Sequence, residues 1–151
     1  MGKVIGWIAV IVIGSAIYGA FTDASRDESG TVIESGNLDV FEIRLGDCLT
    51  EEGLTTDEVS SAEAIPCTDP HMYQAYYIGN VSLSEYSSAV GVKADEICYI
   101  QFQNLYGVPI DETSLTFVNL VPTIESWASG DREITCLLQN YDESLLTESL
   151  V

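Results

Sequence analysis

His71 is the chain's only histidine, and imidazole is the side chain best suited to moving protons near neutral pH. A general base also needs a substrate atom within reach and a partner that orients it. Asp69 is close in sequence, but Pro70 lies between them and fixes the backbone as turns do. The residue types therefore fit a histidine that opens a strand after a turn and hydrogen-bonds locally. Asp47, Asp69 and Asp131 could form a carboxylate pair of the kind that cleaves glycosides, yet 24 acidic residues in 151 make neighbouring carboxylates common by chance. Trp127 and Arg132 could present an aromatic and cationic binding surface. A simpler arrangement has Trp127 cover one end of the core while Arg132 pairs with a carboxylate such as Asp47 or Asp131. No G-x-S-x-G, H-E-x-x-H or phosphate-cradling glycine loop is present. No catalytic residue, cofactor or metal is assigned, and the chain is not read as an enzyme.

The second chemistry on offer is thiol chemistry. Cys48, Cys67, Cys98 and Cys136 all lie in the central and C-terminal part of the chain. An even count in a small exported domain argues for two disulfides. A metal site is the rival, but there is no C-x-x-C pair and a single histidine. Four cysteines allow three pairings, and the sequence alone does not choose. The order of elements favours Cys48–Cys67, which ties the ends of two strands, and Cys98–Cys136, which ties a helix to the last strand.

Those elements read as follows. Residues 38–45 alternate Phe41, Ile43 and Leu45 against polar neighbours, as a strand with one buried face does. Residues 59–65 and 72–81 give a second and third strand. From Ala89 to Leu105 the residues Ala94, Ile97, Cys98, Gln101, Phe102 and Leu105 recur at spacings of three and four, which predicts a helix stopped by Gly107 and Pro109. Residues 115–121 form a further strand, Pro122-Thr123 opens a short helix closed by Gly130, and residues 133–139 form the last strand. The expected fold is α+β: a small antiparallel sheet with one main packed helix and a short second one.

Residues 4–21 contain no charge; as a helix they would reach about 27 Å, close to the roughly 30 Å of a hydrocarbon core. Trp7 and Tyr18 suit its two interfaces, and Lys3 before it against Asp23, Asp27 and Glu28 after it puts the N-terminus in the cytoplasm. A cleaved signal peptide is the alternative, but its best site, Thr22-Asp23-Ala24, is poor. The expected organisation is a transmembrane anchor at 1–21, a flexible tether at 22–37 rich in Ser and Gly, a domain at 38–141 and a polar tail at 142–151. The localisation expected is the cell membrane, single-pass, with the C-terminal domain extracytoplasmic. Lys and Arg total 5 against 24 Asp and Glu, a net charge of −19. Such a chain repels nucleic acid and anionic head groups, so nucleic acid is excluded as a partner.

Four motifs occur in order: Gly46-Asp47-Cys48; Pro66-Cys67-Thr68-Asp69-Pro70-His71; Cys98 on the helix; and Trp127-Ala128-Ser129-Gly130-Asp131-Arg132 leading to Cys136. Over about residues 38–140 this series resembles the septum formation family of extracytoplasmic domains found in actinobacteria. The resemblance implies an N-terminal membrane attachment and a link to cell division, and implies no activity. The expected function is a membrane-tethered extracytoplasmic binding or scaffold module of the septum or envelope, with an envelope or divisome protein as partner. The alternative is a cell-wall-directed enzyme or inhibitor using His71 and the nearby carboxylates. A concave polar pocket at His71, Asp69, Asp47 and Arg132 would favour the alternative.

Overall fold

Val, Ile, Leu and Tyr concentrate in two eight-residue runs, and these become the longest strands. A computed structural model describes residues 22–54 and 58–151. In it, β6 (Tyr73–Asn80) and β8 (Glu133–Asn140) pair antiparallel, with a bulge between Ala75 and Tyr77. Both carry consecutive buried residues where a half-exposed strand would alternate. That pattern demands cover on both faces. β7 (Leu115–Leu120) flanks β8, while β4 (Cys48–Leu49), β5 (Ser61–Ile65) and β3 (Gly36–Asp39) continue past β6. The sheet order is β3-β5-β4-β6-β8-β7, antiparallel throughout.

The α+β class and antiparallel sheet agree with expectation, but among the described residues the sheet has six strands, one more than the sequence announced. The extra strand, β4, is two residues long and too short to leave a periodicity. A separate two-stranded sheet joins β1 (Ser25–Arg26) to β2 (Val32–Glu34).

Helix α1 (Ala89–Tyr106) covers one face. Its buried residues, Val90, Ala94, Cys98 and Phe102, recur every fourth position, which keeps them on one side of a 3.6-residue turn. They meet Tyr76, Cys136 and Leu138 in one cluster and Val81, Trp127 and Ile134 in another. The helix ends where Gly107, at φ 73°, donates its N–H to the Gln103 carbonyl. Helix α2 (Ile124–Ala128) starts at a reciprocal cap in which Thr123 and Ser126 bond each other's backbone. On the opposite face, Leu49, Ala62, Ala64, Ala75 and Leu137 are covered by Val32, Leu38 and Ile43.

Three expectations need correction. Residues 22–37 are not a tether among the described residues: they hold β1, β2 and the start of β3, with Val32 buried. Gly36 reads as a flexibility residue by composition, yet a Cβ there would lie 2.4 Å from the backbone of residues 22 and 24. It allows close approach. The strand expected at 38–45 stops at Asp39, whose side chain caps a 3-10 turn at Val40–Glu42. Ile43 is buried, but Phe41 and Leu45 are exposed. The tail at 142–151 is docked: Leu146 is buried and bridges His71, and the Leu150 N–H donates to Gln74 Oε1 at 2.7 Å. The anchor expected at 1–21 lies outside the described residues, and no described helix is long and apolar enough to cross a membrane.

Candidate functional site

Gly46, at φ 88°, occupies the left-handed region that glycine enters freely. The turn it makes presents Asp47 inward. Asp47 is buried, and its two oxygens accept hydrogen bonds from Arg26 Nη1 and Nη2, each at 2.6 Å, while the Arg44 N–H donates to it at 2.7 Å. The carboxylate in turn raises the Arg26 pKa, chiefly through that hydrogen bond. Asp47 therefore clamps the N-terminal strands to the sheet, and its partner is Arg26.

Arg132 does not pair with Asp47, which sits beside Ala75 at the start of β6, whereas the Arg132 carbonyl accepts from Val81 past its end. Its guanidinium lies 3.5 Å from the centre of the Trp127 ring and donates to the Trp127 and Asp131 carbonyls. Stacking plus main-chain acceptors takes the place of the carboxylate pair. Trp127 is buried over Val81, Val90 and Ile134, with Tyr86 edge-on at 5.8 Å. Gly130 follows α2 at φ 101°.

Pro66 to His71 forms a turn in which the Asp69 N–H donates to the Pro66 carbonyl. His71 is fully buried. Its Nδ1 lies 2.8 Å from the Asp69 carbonyl; since a carbonyl only accepts, Nδ1 carries the proton. Its backbone exchanges hydrogen bonds with Leu146 at 3.0 and 2.8 Å. Nε2 has no partner among the described residues. Asp69 and Pro70 are exposed. The disulfides are Cys48–Cys67 and Cys98–Cys136, with Cα separations of 5.2 and 5.6 Å. The motif residues are thus brought together in pairs by the fold, but they do not converge on one pocket.

A concavity of about 470 Å³ lies elsewhere, on the face opposite α1. Val118, Leu120, Leu137 and Tyr73 give it apolar walls; Asp39, Glu58, Asp131 and Glu133 supply carboxylates, and among the described residues neither Lys nor Arg lines it. Val40, just beyond β3, and Val118 of β7 both line it, although these are opposite edge strands. A flat six-stranded sheet would separate its edges by about 24 Å. The sheet therefore curls around the groove. A second concavity, near Arg26, Phe41 and Arg44, adjoins the N-terminal strands. His71, Asp47, Asp69 and Arg132 line neither.

The Glu133 carboxyl is pushed above its ordinary value by burial and then by neighbouring Asp131. The Tyr76 phenol, under α1, is pushed well above its usual value by burial. Among the described residues no group of three or more His, Cys, Asp or Glu side chains could hold a metal ion. Of the carboxylates singled out in the sequence only Asp131 lines the groove, and sequence reasoning missed the other groove residues. The available signal was β7, which carries Leu115 and Phe117 towards one face and Val118 and Leu120 towards the other. A strand apolar on both faces has a second surface to cover or to use.

Compared with known families, residues 45–149 match the model described as septum formation. No curated protein and no solved structure matches the chain.

Proposed function

The chain belongs to the septum formation family, and on that premise we propose a membrane-tethered, extracytoplasmic binding or scaffold module serving the division septum or envelope. Its working surface is the groove on the part of the sheet that neither α1 nor the N-terminal strands cover. That groove is the observation carrying the reading: about 470 Å³ is within the range of ligand pockets, and apolar walls with a few carboxylates suit recognition. The two disulfides favour an oxidising compartment. The uncharged run at 4–21 and the charge difference across it favour an anchor with the domain outside. The alternative, an enzyme or inhibitor built on His71, draws no support from a fully buried imidazole and a carboxylate engaged by Arg26.

The test is cellular. A full-length fusion to a fluorescent protein that matures outside the cytoplasm is expected to concentrate at division sites. Val118→Trp, which fills the groove from a half-buried position, is expected to leave the protein in the membrane but disperse it. Uniform membrane fluorescence of the unmodified chain sinks the septal role, and septal placement unaffected by Val118→Trp sinks the groove as the working surface.

A further inference from the structure

The groove's charge is one-sided, and its carboxylates are not equivalent. Asp39 accepts the Phe41 N–H at 3.0 Å, and Asp131 accepts from Ser126 Oγ and the Glu133 N–H, each at 2.8 Å. Both are occupied in holding local structure. The Glu133 carboxylate has no partner among the described residues; Ile134 and Cys136 face α1, so Glu133 shares the groove face with Thr135 and Leu137. Burial and Asp131 disfavour its charged form. A charged group kept where it opposes folding marks a place where an incoming cation would relieve it. Beside it, Leu137, Val118 and Leu120 offer an apolar surface to the stem of a long side chain.

Resting on the module reading above, we propose that this groove receives a partner's extended polypeptide segment that presents a lysine or arginine two positions from an apolar side chain, so that both face the groove. The cationic head pairs with Glu133, and the apolar side chain packs on Val118 and Leu120. A polypeptide fits because, among the described residues, β7 ends the sheet and pairs with β8 alone, leaving a main-chain edge beside the groove. Anionic lipid and nucleic acid would meet only like charge here.

The probe is a fluorescein-labelled peptide, Gly-Leu-Thr-Lys-Thr-Leu-Thr-Lys-Gly, whose leucines and lysines share one face when extended, titrated into the full chain in detergent micelles and read by anisotropy. Control peptides carry serine for each leucine, or glutamate for each lysine. Saturable binding of the first peptide is expected, with both controls much weaker. Glu133→Gln is expected to weaken it about tenfold or more, as loss of a charged hydrogen bond does, while Glu148→Gln, the same charge change at an exposed tail position, leaves it nearly unchanged. Melting curves on the same samples separate this from damage, because Glu133→Gln is expected to raise stability. No binding, equal binding of the serine peptide, or equal weakening by both substitutions overturns the proposal. If no peptide binds yet Val118→Trp still disperses the septal signal, the partner chemistry fails and the module reading stands. If septal placement ignores Val118→Trp, the groove reading itself has failed.

Discussion

Arg26 and Asp47 lie 21 positions apart and meet with both side chains largely out of water, 12% and 4% exposed. Removing one partner of such a pair leaves the other charge uncompensated, typically at about 3–5 kcal/mol. Arg26→Ala is expected to cost roughly 3 kcal/mol, the lower end because Arg26 keeps some solvent contact. Urea unfolding measures the cost, and hydrogen exchange should rise across residues 22–34. Arg26→Lys should rescue only part of it, since an ammonium lacks the two-pronged geometry that both Asp47 oxygens accept. An unchanged urea midpoint would remove the pair's assigned role as a clamp. Glu133 carries the opposite sign. Its folded-state pKa is raised, so the folded chain binds the proton more tightly than the unfolded one. Its contribution is most favourable below the unfolded-state value and declines as pH rises through the folded-state value. Glu133→Gln should therefore raise the melting temperature at neutral pH, and the gain should vanish near pH 3, where glutamate is protonated in both states. A gain that persists at low pH would contradict the electrostatic origin.

At the scale of elements, the two disulfides reinforce different kinds of contact. Cys98 sits between Ala94 and Phe102 on the buried stripe of α1, so its bond to Cys136 doubles a contact that apolar packing already makes. Cys48–Cys67 ties β4 to the turn after β5. By composition the mostly polar stretch 50–61 should owe its order to that tie. The structure divides it: β5 lies between β3 and β4 and bonds to both, so residues 61–65 are held by the sheet. With separations of 19 and 38 residues, loop closure gives contributions of about 3 and about 4 kcal/mol. Cys48→Ser with Cys67→Ser is expected to open residues 50–60 and the 66–71 turn to protease while β5 stays protected. Cys98→Ser with Cys136→Ser should lower the melting temperature further without opening that loop. Proteolysis within β5 in the first variant would contradict the division.

For the whole molecule, the order found in residues 22–37 changes the relation proposed between domain and membrane. Asn37 donates its N–H to the Thr22 carbonyl at 3.0 Å, and the Ala24 N–H donates to the Asn37 carbonyl at 3.2 Å. The fold thus engages the chain from Thr22, directly after the apolar run ending at Phe21. If that run is an anchor, the domain is held near the bilayer surface, where the acidic excess of the chain, −19 in all, repels anionic head groups. Cleavage before Ser25 would remove residues that bond to β3. The mature protein is therefore expected to begin at Met1 or Gly2 and to stay with membranes through a high-salt wash. A mature N-terminus at Ser25 by peptide sequencing would establish a signal peptide.

Local rules were enough to place α1, because an apolar residue every fourth position and a glycine at 107 act within a few turns of chain. They were enough for β6, β7 and β8, whose apolar runs are long, and for α2, whose Thr123 and Ser126 cap each other three residues apart. Cysteine count left three pairings open; the one that element order favoured is the one the structure has. What tertiary structure alone decided were encounters between segments far apart in sequence. Arg26 reaches Asp47, and the tail reaches Gln74 and His71, because β4 sits between β5 and β6. The groove depends on the sheet's curl, which brings Val40 and Val118 to one concavity from opposite edges. Composition averages over such encounters: it scored residues 22–37 as a polar linker, whereas one buried ion pair, one buried valine and one glycine without a Cβ dock that segment to the sheet.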